Sequence, residues 1–278
     1  MAMIRTAEPR ARVRALIQLQ FLLAALTGLS GCTTFRVASE SMFMISPEEE
    51  RQIGQQVKSE IDGQVQFVND SLVVNYVRDV GRTLVAHAPE SAFDPQFFVI
   101  ANPEINAFAI PAGSIYVHTG LISAADDEAE MAAVIAHEMG HVIRRHSARG
   151  LARNTGAQLA GQLLLGENYG SMAQLLSSVG LLNYTRQDEA EADRIAVATL
   201  HRAGYDPDAL ATFFAKLKER YGDRGQIATF FASHPPTTER INSVRAMVDQ
   251  LPEAEYRRPT SDLRRVQKRL EELGFAAE

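Results

Sequence analysis

The chain has 278 residues, with 28 basic and 34 acidic side chains and a formal net charge of −6. This length is sufficient for one sizeable hydrophobic core. The acidic balance and the lack of a basic cluster argue against nucleic-acid binding, so we expect no nucleic-acid partner. The single cysteine, Cys32, excludes a fold held by disulfides, and stability must therefore come from core packing.

The N-terminal residues follow the pattern of a secretory signal peptide, predicted over residues 1–31. Four arginines precede an apolar stretch at 15–29, which is short for a membrane span and typical of a signal peptide. The stretch ends in Leu29-Ser30-Gly31-Cys32, which resembles a bacterial lipobox. The resemblance implies cleavage before Cys32 and a lipid anchor on its thiol, which would leave the mature chain without a free thiol. Thr33 after the cysteine indicates the outer membrane. The alternative is a secretory signal with an incidental cysteine.

Two helices are predicted after a lipidated tether at 32–45. Ser46-Pro47-Glu48-Glu49 supplies an N-cap, a first-turn proline and the glutamate of a capping box, so one helix should run from here to about Ile61. From about Asn69 to Ala86, apolar residues recur at helical spacing and predict the second helix.

A small β-sheet is predicted next. Phe97-Phe98-Val99-Ile100 is typical of a buried strand, and residues 107–110 and 115–118 are predicted to form a hairpin. A strand edge there can bind an extended peptide by main-chain hydrogen bonds, and ordinary core sheet is the alternative. The candidate substrate-binding residues on this edge are Asn106, Ala107, Phe108 and Ala109.

The most informative motif is His137-Glu138-Met139-Gly140-His141, within a predicted helix. Residues i and i+4 share a helix face, so the two imidazoles can bind one Zn²⁺ while Glu138 handles a proton of the attacking water. Gly140 lowers helix propensity, and we expect it because a side chain there would block close approach to the metal face. The alternative is a helix with two surface histidines.

A catalytic zinc site needs a third protein ligand, and an acidic helix after Thr185 is the best source. At about 100° per residue, Glu189 and Asp193 share a face and Glu191 points nearly opposite. Glu189 is the predicted ligand, with Glu191 as the second choice. Asp193 is expected to accept a hydrogen bond from a ligating histidine. The helix should end at Gly204.

The remaining segments are less specific. Residues 151–183 are predicted to form two helices or a helix and a loop, as a lid or an apolar contact surface. Asp206-Pro207 should open a further helix, and Asp262 to Phe275 should form an amphipathic helix. Four histidines lack ligand spacing and are predicted to be structural: His87, His118, His146 and His201. If the motif helix continues, His146 lies about 180° around it from His137.

At this point the chain resembles a known family. The motifs His137-Glu138-x-x-His141 and Glu189-x-x-Ala192-Asp193 resemble those of the gluzincin peptidases that include the CAAX prenyl proteases, HtpX and the Oma protease, closest to soluble periplasmic lipoprotein members of the LoiP and BepA type. Further matching stretches are Asn106 to Gly113 and the segment Ser233-His234-Pro235-Pro236 with Arg240.

The resemblance implies a zinc endopeptidase with one Zn²⁺ held by His137, His141 and Glu189, and with Glu138 as catalytic base. In the family pattern, His234 lies near the metal. It could donate to the oxyanion, block the open metal position in a resting state, or serve a structural turn. Arg240 could pair with Asp193 or with substrate carbonyls.

We therefore expect an α+β fold, mostly helical and zincin-like, with a small β-sheet or hairpin beside the zinc helix. Residues 46–250 are the predicted catalytic domain and 251–278 a C-terminal amphipathic helix. The expected function is degradation of unfolded or misfolded envelope proteins at the periplasmic face of the outer membrane, with an outer-membrane assembly machinery as a further partner. The alternative is a chaperone or assembly factor with latent protease activity.

Overall fold

The computed structural model describes residues 45–153, 184–221 and 234–275. The predicted signal peptide, Cys32 and nearly all of the 151–183 segment lie outside the described residues. Within the described ranges, no helix combines the length and apolar character that a membrane crossing needs.

The architecture is mostly helical with one small sheet, which confirms the predicted α+β class. The elements in chain order are α1 (Pro47–Asp62), α2 (Ser71–Val85), β1 (Gln96–Ile100), β2 (Ala107–Ala109), β3 (Ser114–His118), α3 (Thr119–Ala124), α4 (Glu128–Ile143), α5 (Arg186–Ala203), α6 (Ala209–Tyr221), α7 (Thr238–Val248) and α8 (Ser261–Glu272). A short 3₁₀ turn, Pro111–Gly113, joins β2 to β3.

The sheet has the strand order β1-β3-β2. The predicted hairpin is present, with β2 antiparallel to β3, and β1 lies parallel to β3 on the other side. Because side chains alternate between the two faces of a strand, each strand contributes to two core regions. Ala107, Ala109 and Ile115 face the main core with α2 and α4, whereas Phe108 and Tyr116 face α1.

Helix α4 carries the zinc motif and is almost entirely buried. Every residue from Glu128 to Val142 is buried, as expected for a helix covered on all sides. Its start is capped by Asp127, whose side chain accepts from the backbone N–H of Glu130 at 2.9 Å. A buried, capped helix holds its side chains in fixed positions, which suits a metal site.

Gly140 permits a close contact between helices, and the approach that a side chain there would block is that of α5, the helix that carries Glu189. A Cβ built on Gly140 would lie 2.8 Å from Cα of Ala192 on α5. Such a distance is below ordinary van der Waals contact, so any side chain would push the two helices apart. Gly140 therefore sets the spacing between the helix with the histidines and the helix with the acidic residues.

Helix α5 begins and ends where the sequence predicts. Thr185 and Asp188 form a reciprocal capping box, and Gly204 ends the helix with φ 76°. The C-terminal helix α8 buries Leu263, Val266 and Leu270 in the main core. The predicted boundary at residue 250 remains a prediction, although α8 shares the core of the preceding elements.

Candidate metal centre

Four side chains from three parts of the chain converge on one buried point. They are His137 and His141 from α4, Glu189 from α5, and His234 from the segment before α7. One ligand-type atom from each lies within 4.8 Å of all the others. Among these residues, Glu189 has the largest exposure at 4%. The structure therefore brings the three predicted ligands and His234 together.

The distances between these atoms fit a tetrahedral zinc site. A zinc ion about 2.1 Å from each ligand atom requires ligand atoms roughly 3.4 Å apart. The Nε2 atoms of His137 and His141 are 3.1 Å apart. His137 Nε2 lies 3.5 Å from Glu189 Oε2, and His141 Nε2 lies 3.4 Å from Glu189 Oε1. His234 Nδ1 is 3.3 Å from His137 Nε2 and 2.9 Å from Glu189 Oε1. Three imidazoles and a carboxylate are also the donor types that zinc prefers.

Glu138 lies beside this cluster and is itself completely buried. Its Oε2 accepts a hydrogen bond from the backbone N–H of Ala109 on β2 at 3.0 Å. Its Oε1 accepts no hydrogen bond from any described residue and lies 3.5 Å from His234 Nε2. Burial raises the pKa of the Glu138 carboxyl, against the opposing effect of the neighbouring histidines. One oxygen is thus held by the sheet, while the other faces the cluster.

Asp193 and Arg240 contact the cluster on the side of His137 Nδ1 and Glu189 Oε2. Oδ1 of Asp193 lies 2.9 Å from Nδ1 of His137, the nitrogen that faces away from the cluster. The guanidinium of Arg240 contacts both carboxylate oxygens of Asp193, at 2.9 and 2.7 Å, and lies 2.6 Å from Glu189 Oε2. Burial works to raise the pKa of Asp193, but Arg240 and His137 hold that pKa below its ordinary value. Arg240 thus pairs with Asp193, one of the two partners considered for it, and a contact with substrate carbonyls remains a prediction.

His146 stands next to His141, a position that the sequence analysis missed. Helix α4 ends at Ile143, and Arg145 adopts a positive φ of 54°, so the chain turns before His146. His146 Nδ1 consequently lies 2.9 Å from His141 Nδ1. The assumption that His146 continues the same helix, about 180° away, was therefore wrong. The adjacent basic residues Arg144 and Arg145 signalled a helix end and gave a usable hint.

Tyr184 is a second neighbour that no sequence signal indicated. Its ring stacks on His141 with a centroid distance of 3.8 Å, and on His234 at 5.2 Å. Its hydroxyl lies 3.2 Å from Oγ of Ser147. Tyr184 thus covers one side of the histidine cluster immediately before the Thr185 cap of α5.

The candidate edge strand is next to Glu138. Backbone hydrogen bonds from Ile110 to Ser114 and from His118 to Asn106 connect β2 to β3. Main-chain groups alternate in direction along an antiparallel pair, so those of Ala107 and Ala109 point away from β3. The N–H of Ala109 is the donor to Glu138. Asn106, Ala107, Phe108 and Ala109 are all buried, and their proposed contact with substrate remains a prediction.

The sequence of the chain matches a known peptidase family and several named proteases. Residues 72–248, more than half of the chain, match the model of peptidase family M48. The β-barrel assembly-enhancing protease of Escherichia coli (strain K12) is 33% identical over 220 residues, which cover 74% of this chain and 45% of that protein. The mitochondrial metalloendopeptidase OMA1 of Schizosaccharomyces pombe is 32% identical over 192 residues, 67% of this chain and 56% of that protein.

The metalloprotease LoiP of Escherichia coli (strain K12) is 36% identical over 149 residues, 51% of this chain and 58% of that protein. The chain spans less than half the length of the first of these relatives and less than two thirds of the others. The family match covers α2 to α7, which include all four residues of the buried donor cluster. That cluster and the family match together support a single zinc ion per chain. The chain belongs to peptidase family M48.

Proposed function

We propose that this protein is a zinc-dependent endopeptidase of the bacterial cell envelope that degrades unfolded or misassembled proteins. The observation that carries the proposal is the buried cluster of four zinc-type donors with Glu138 beside it. The match to a peptidase family, with relatives named as proteases, supports the same activity.

In this proposal His137, His141 and Glu189 hold the zinc ion. The ion would supply Lewis-acid chemistry, activating water and polarising the scissile carbonyl. Glu138 accepts a proton from the attacking water and passes it to the leaving amine nitrogen. The Ala109 N–H holds Oε2 of Glu138, which leaves Oε1 to carry that proton. Asp193, itself held by Arg240, orients the His137 ring.

The β2 edge is the proposed substrate-binding strand. An extended peptide beside β2 would form main-chain hydrogen bonds with the groups of Ala107 and the carbonyl of Ala109, because the Ala109 N–H already donates to Glu138. Such bonds depend little on side-chain identity. Such binding suits substrates that are unfolded and varied in sequence. We infer outer-membrane proteins as the substrates and an outer-membrane assembly machinery as a partner. The name of the similar β-barrel assembly-enhancing protease supports both inferences.

A comparison of wild type with Glu138→Gln tests the activity. The full chain is purified, its zinc content is measured, and casein cleavage is followed. We expect about one zinc ion in both proteins and cleavage only by the wild type, because Gln cannot accept the proton. The pair is repeated in a His234→Ala background, so that a blocked resting site cannot hide activity.

The other outcomes decide between functions. Zinc in every variant with no cleavage in either background would overturn the peptidase and favour the chaperone or assembly-factor alternative. Cleavage by Glu138→Gln at the wild-type rate would remove Glu138 from the mechanism. Absence of zinc from the wild type would overturn the metal site itself.

We further propose that Cys32 carries the lipid that anchors the protein to the outer membrane, facing the periplasm. The lipobox-like sequence Leu29-Ser30-Gly31-Cys32 supports this anchor, and more than one acyl chain gives stable attachment. The test is fractionation of bacterial cells producing the wild type or Cys32→Ser. We expect the wild type in the outer-membrane fraction and the variant released from it; equal membrane retention of both would contradict the anchor.

A further inference from the structure

The ring of His141 has two nitrogens with different surroundings. Nε2 belongs to the donor cluster, 3.1 Å from His137 Nε2 and 3.4 Å from Glu189 Oε1. Nδ1 faces the opposite way and lies 2.9 Å from Nδ1 of His146. A hydrogen bond between two ring nitrogens needs exactly one proton, so one ring donates and the other accepts.

The surroundings of His146 decide which ring donates. Its second nitrogen, Nε2, lies 3.2 Å from Oε2 of Glu191 and 3.6 Å from Oδ1 of Asp188. The Glu191 oxygen also accepts from Arg144 Nε and Arg149 Nη1, both at 3.1 Å. A carboxylate that receives two guanidinium donors presents only lone pairs to a third partner.

Asp188 is constrained in the same way. Its carboxylate accepts from Arg153 Nη2 at 2.7 Å and lies 3.4 Å from Arg149 Nη2. His146 Nε2 therefore faces acceptors on α5 and must carry a proton. A neutral imidazole has a single N–H, so His146 Nδ1 offers a lone pair towards His141.

We propose that His146 is a positioning residue that fixes the tautomer of His141 for zinc binding. His141 donates its Nδ1–H to His146 Nδ1, and its Nε2 keeps the lone pair that a metal requires. The orientation is set by the carboxylates of Glu191 and Asp188, which hold the proton of His146 on Nε2. This inference rests on the proposed zinc site.

In this proposal, different residues orient the two histidines of the motif: Asp193 orients His137, and His146 orients His141. His137 has a carboxylate directly behind it, Oδ1 of Asp193 at 2.9 Å. On its Nδ1 side, His141 is linked to the carboxylates of Glu191 and Asp188 through the ring of His146. The turn at Arg145, with φ 54°, places that ring where a continuous helix could not. Glu191, on the face of α5 opposite the proposed ligand Glu189, thereby also acts on the metal site.

The direct test is the protonation pattern of the histidine rings in the zinc-loaded full chain. Long-range ¹H–¹⁵N correlation spectra distinguish Nδ1–H from Nε2–H tautomers. We expect the proton of His146 on Nε2 and the proton of His141 on Nδ1. A His146 proton on Nδ1 in the zinc-loaded protein would overturn the inference.

Zinc affinity gives a second, independent readout. Competition with a chromogenic chelator is compared for the wild type, His146→Leu and His146→Asn. We expect His146→Leu to lose about 10- to 100-fold in affinity, because it cannot accept from His141. His146→Asn should recover most of that loss, since Oδ1 of asparagine can accept near the position of Nδ1.

His201→Leu is the matched control for loss of a partly buried histidine. His201 lies on α5 and contacts Tyr256 through Nδ1 at 2.8 Å, away from the cluster. Circular dichroism in excess chelator verifies that each variant folds. Undiminished zinc affinity in a folded His146→Leu variant would contradict the inference. If that variant fails to fold, the ¹H–¹⁵N correlation spectrum of the wild type alone tests the tautomer. A wild type without zinc would overturn the proposed metal site and this inference together, whereas zinc with the opposite tautomer would overturn only the inference.

Discussion

His234 is the residue whose role the structure narrows most. Four protein donors complete a tetrahedral zinc shell, and a catalytic site needs one position open. His234 Nδ1 lies at zinc-ligand spacing from both His137 and Glu189. Of the three roles considered for His234, this placement favours blocking of the open metal position in a resting state. The backbone carbonyl of Pro235 accepts from Arg240 Nη1 at 3.1 Å and holds the segment there.

Replacement of His234 by alanine should therefore raise casein cleavage severalfold while one zinc ion stays bound. The physical reason is that three protein ligands remain and the fourth position becomes open to water and substrate. Initial rates and zinc content are measured side by side, with His201→Ala as the control for loss of a histidine outside the cluster. Lower activity with zinc retained would instead favour His234 as a donor to the oxyanion.

At the scale of elements, helix α1 is attached to the site by a buried carboxylate. Glu50 is 2% exposed, and its Oε2 accepts from Arg145 Nε at 2.6 Å. Its other oxygen receives the backbone N–H of Ala112, in the turn between β2 and β3, at 3.4 Å. Arg145 also donates to the backbone carbonyl of Ile45. One carboxylate therefore joins α1, the hairpin turn and the end of α4.

Removing the negative charge of Glu50 should destabilise the folded protein, because this carboxylate joins α1, the hairpin turn and the end of α4. Glu50→Gln is expected to lower the free energy of unfolding by about 2–3 kcal/mol, because Arg145 loses its charged partner in a partly buried position. Urea unfolding followed by circular dichroism gives the value. Glu48→Gln is the matched control, since its pair with Arg51 is exposed and should contribute less than about 0.5 kcal/mol. Equal effects of the two substitutions would contradict the role assigned to Glu50.

Local patterns explain which elements could be predicted from the sequence. The predicted cap at Ser46 and the predicted stop at Gly204 depend on residues within one turn, and both are present. The i, i+4 spacing on α4 and the shared face of Glu189 and Asp193 are equally local, and the structure brings these side chains together.

The remaining features depend on contacts between distant residues. The parallel pairing of β1 with β3 joins residues about 18 positions apart, and the contact of Gly140 with Ala192 joins two helices. Neither the strand pairing nor the helix contact produces a periodic pattern of apolar residues within a single segment of the sequence. The position of His146 required knowledge of a left-handed residue at Arg145, a conformation that most side chains avoid and that sequence patterns seldom indicate.

For the whole molecule, the buried His118 links stability to pH. It ends β3, is 5% exposed, and lies edge-on to the ring of Phe108. Burial lowers the pKa of His118 from 6.5 to about 4, with Glu104 opposing the shift. Between these two pH values the unfolded chain binds a proton that the folded chain excludes. Stability therefore falls as the pH decreases through this window.

A neutral substitution should remove this part of the pH dependence. Between pH 8 and pH 5, His118 is expected to cost the wild type about 2 kcal/mol of its free energy of unfolding. His118→Gln should therefore lose correspondingly less over the same interval. Urea unfolding at both pH values, in excess chelator to keep zinc release out of the comparison, gives the difference between the two proteins. His87→Gln, at an exposed position, controls for the loss of a histidine as such. A constant difference between wild type and His118→Gln across the interval would show that His118 binds its proton equally well in the folded and unfolded chain.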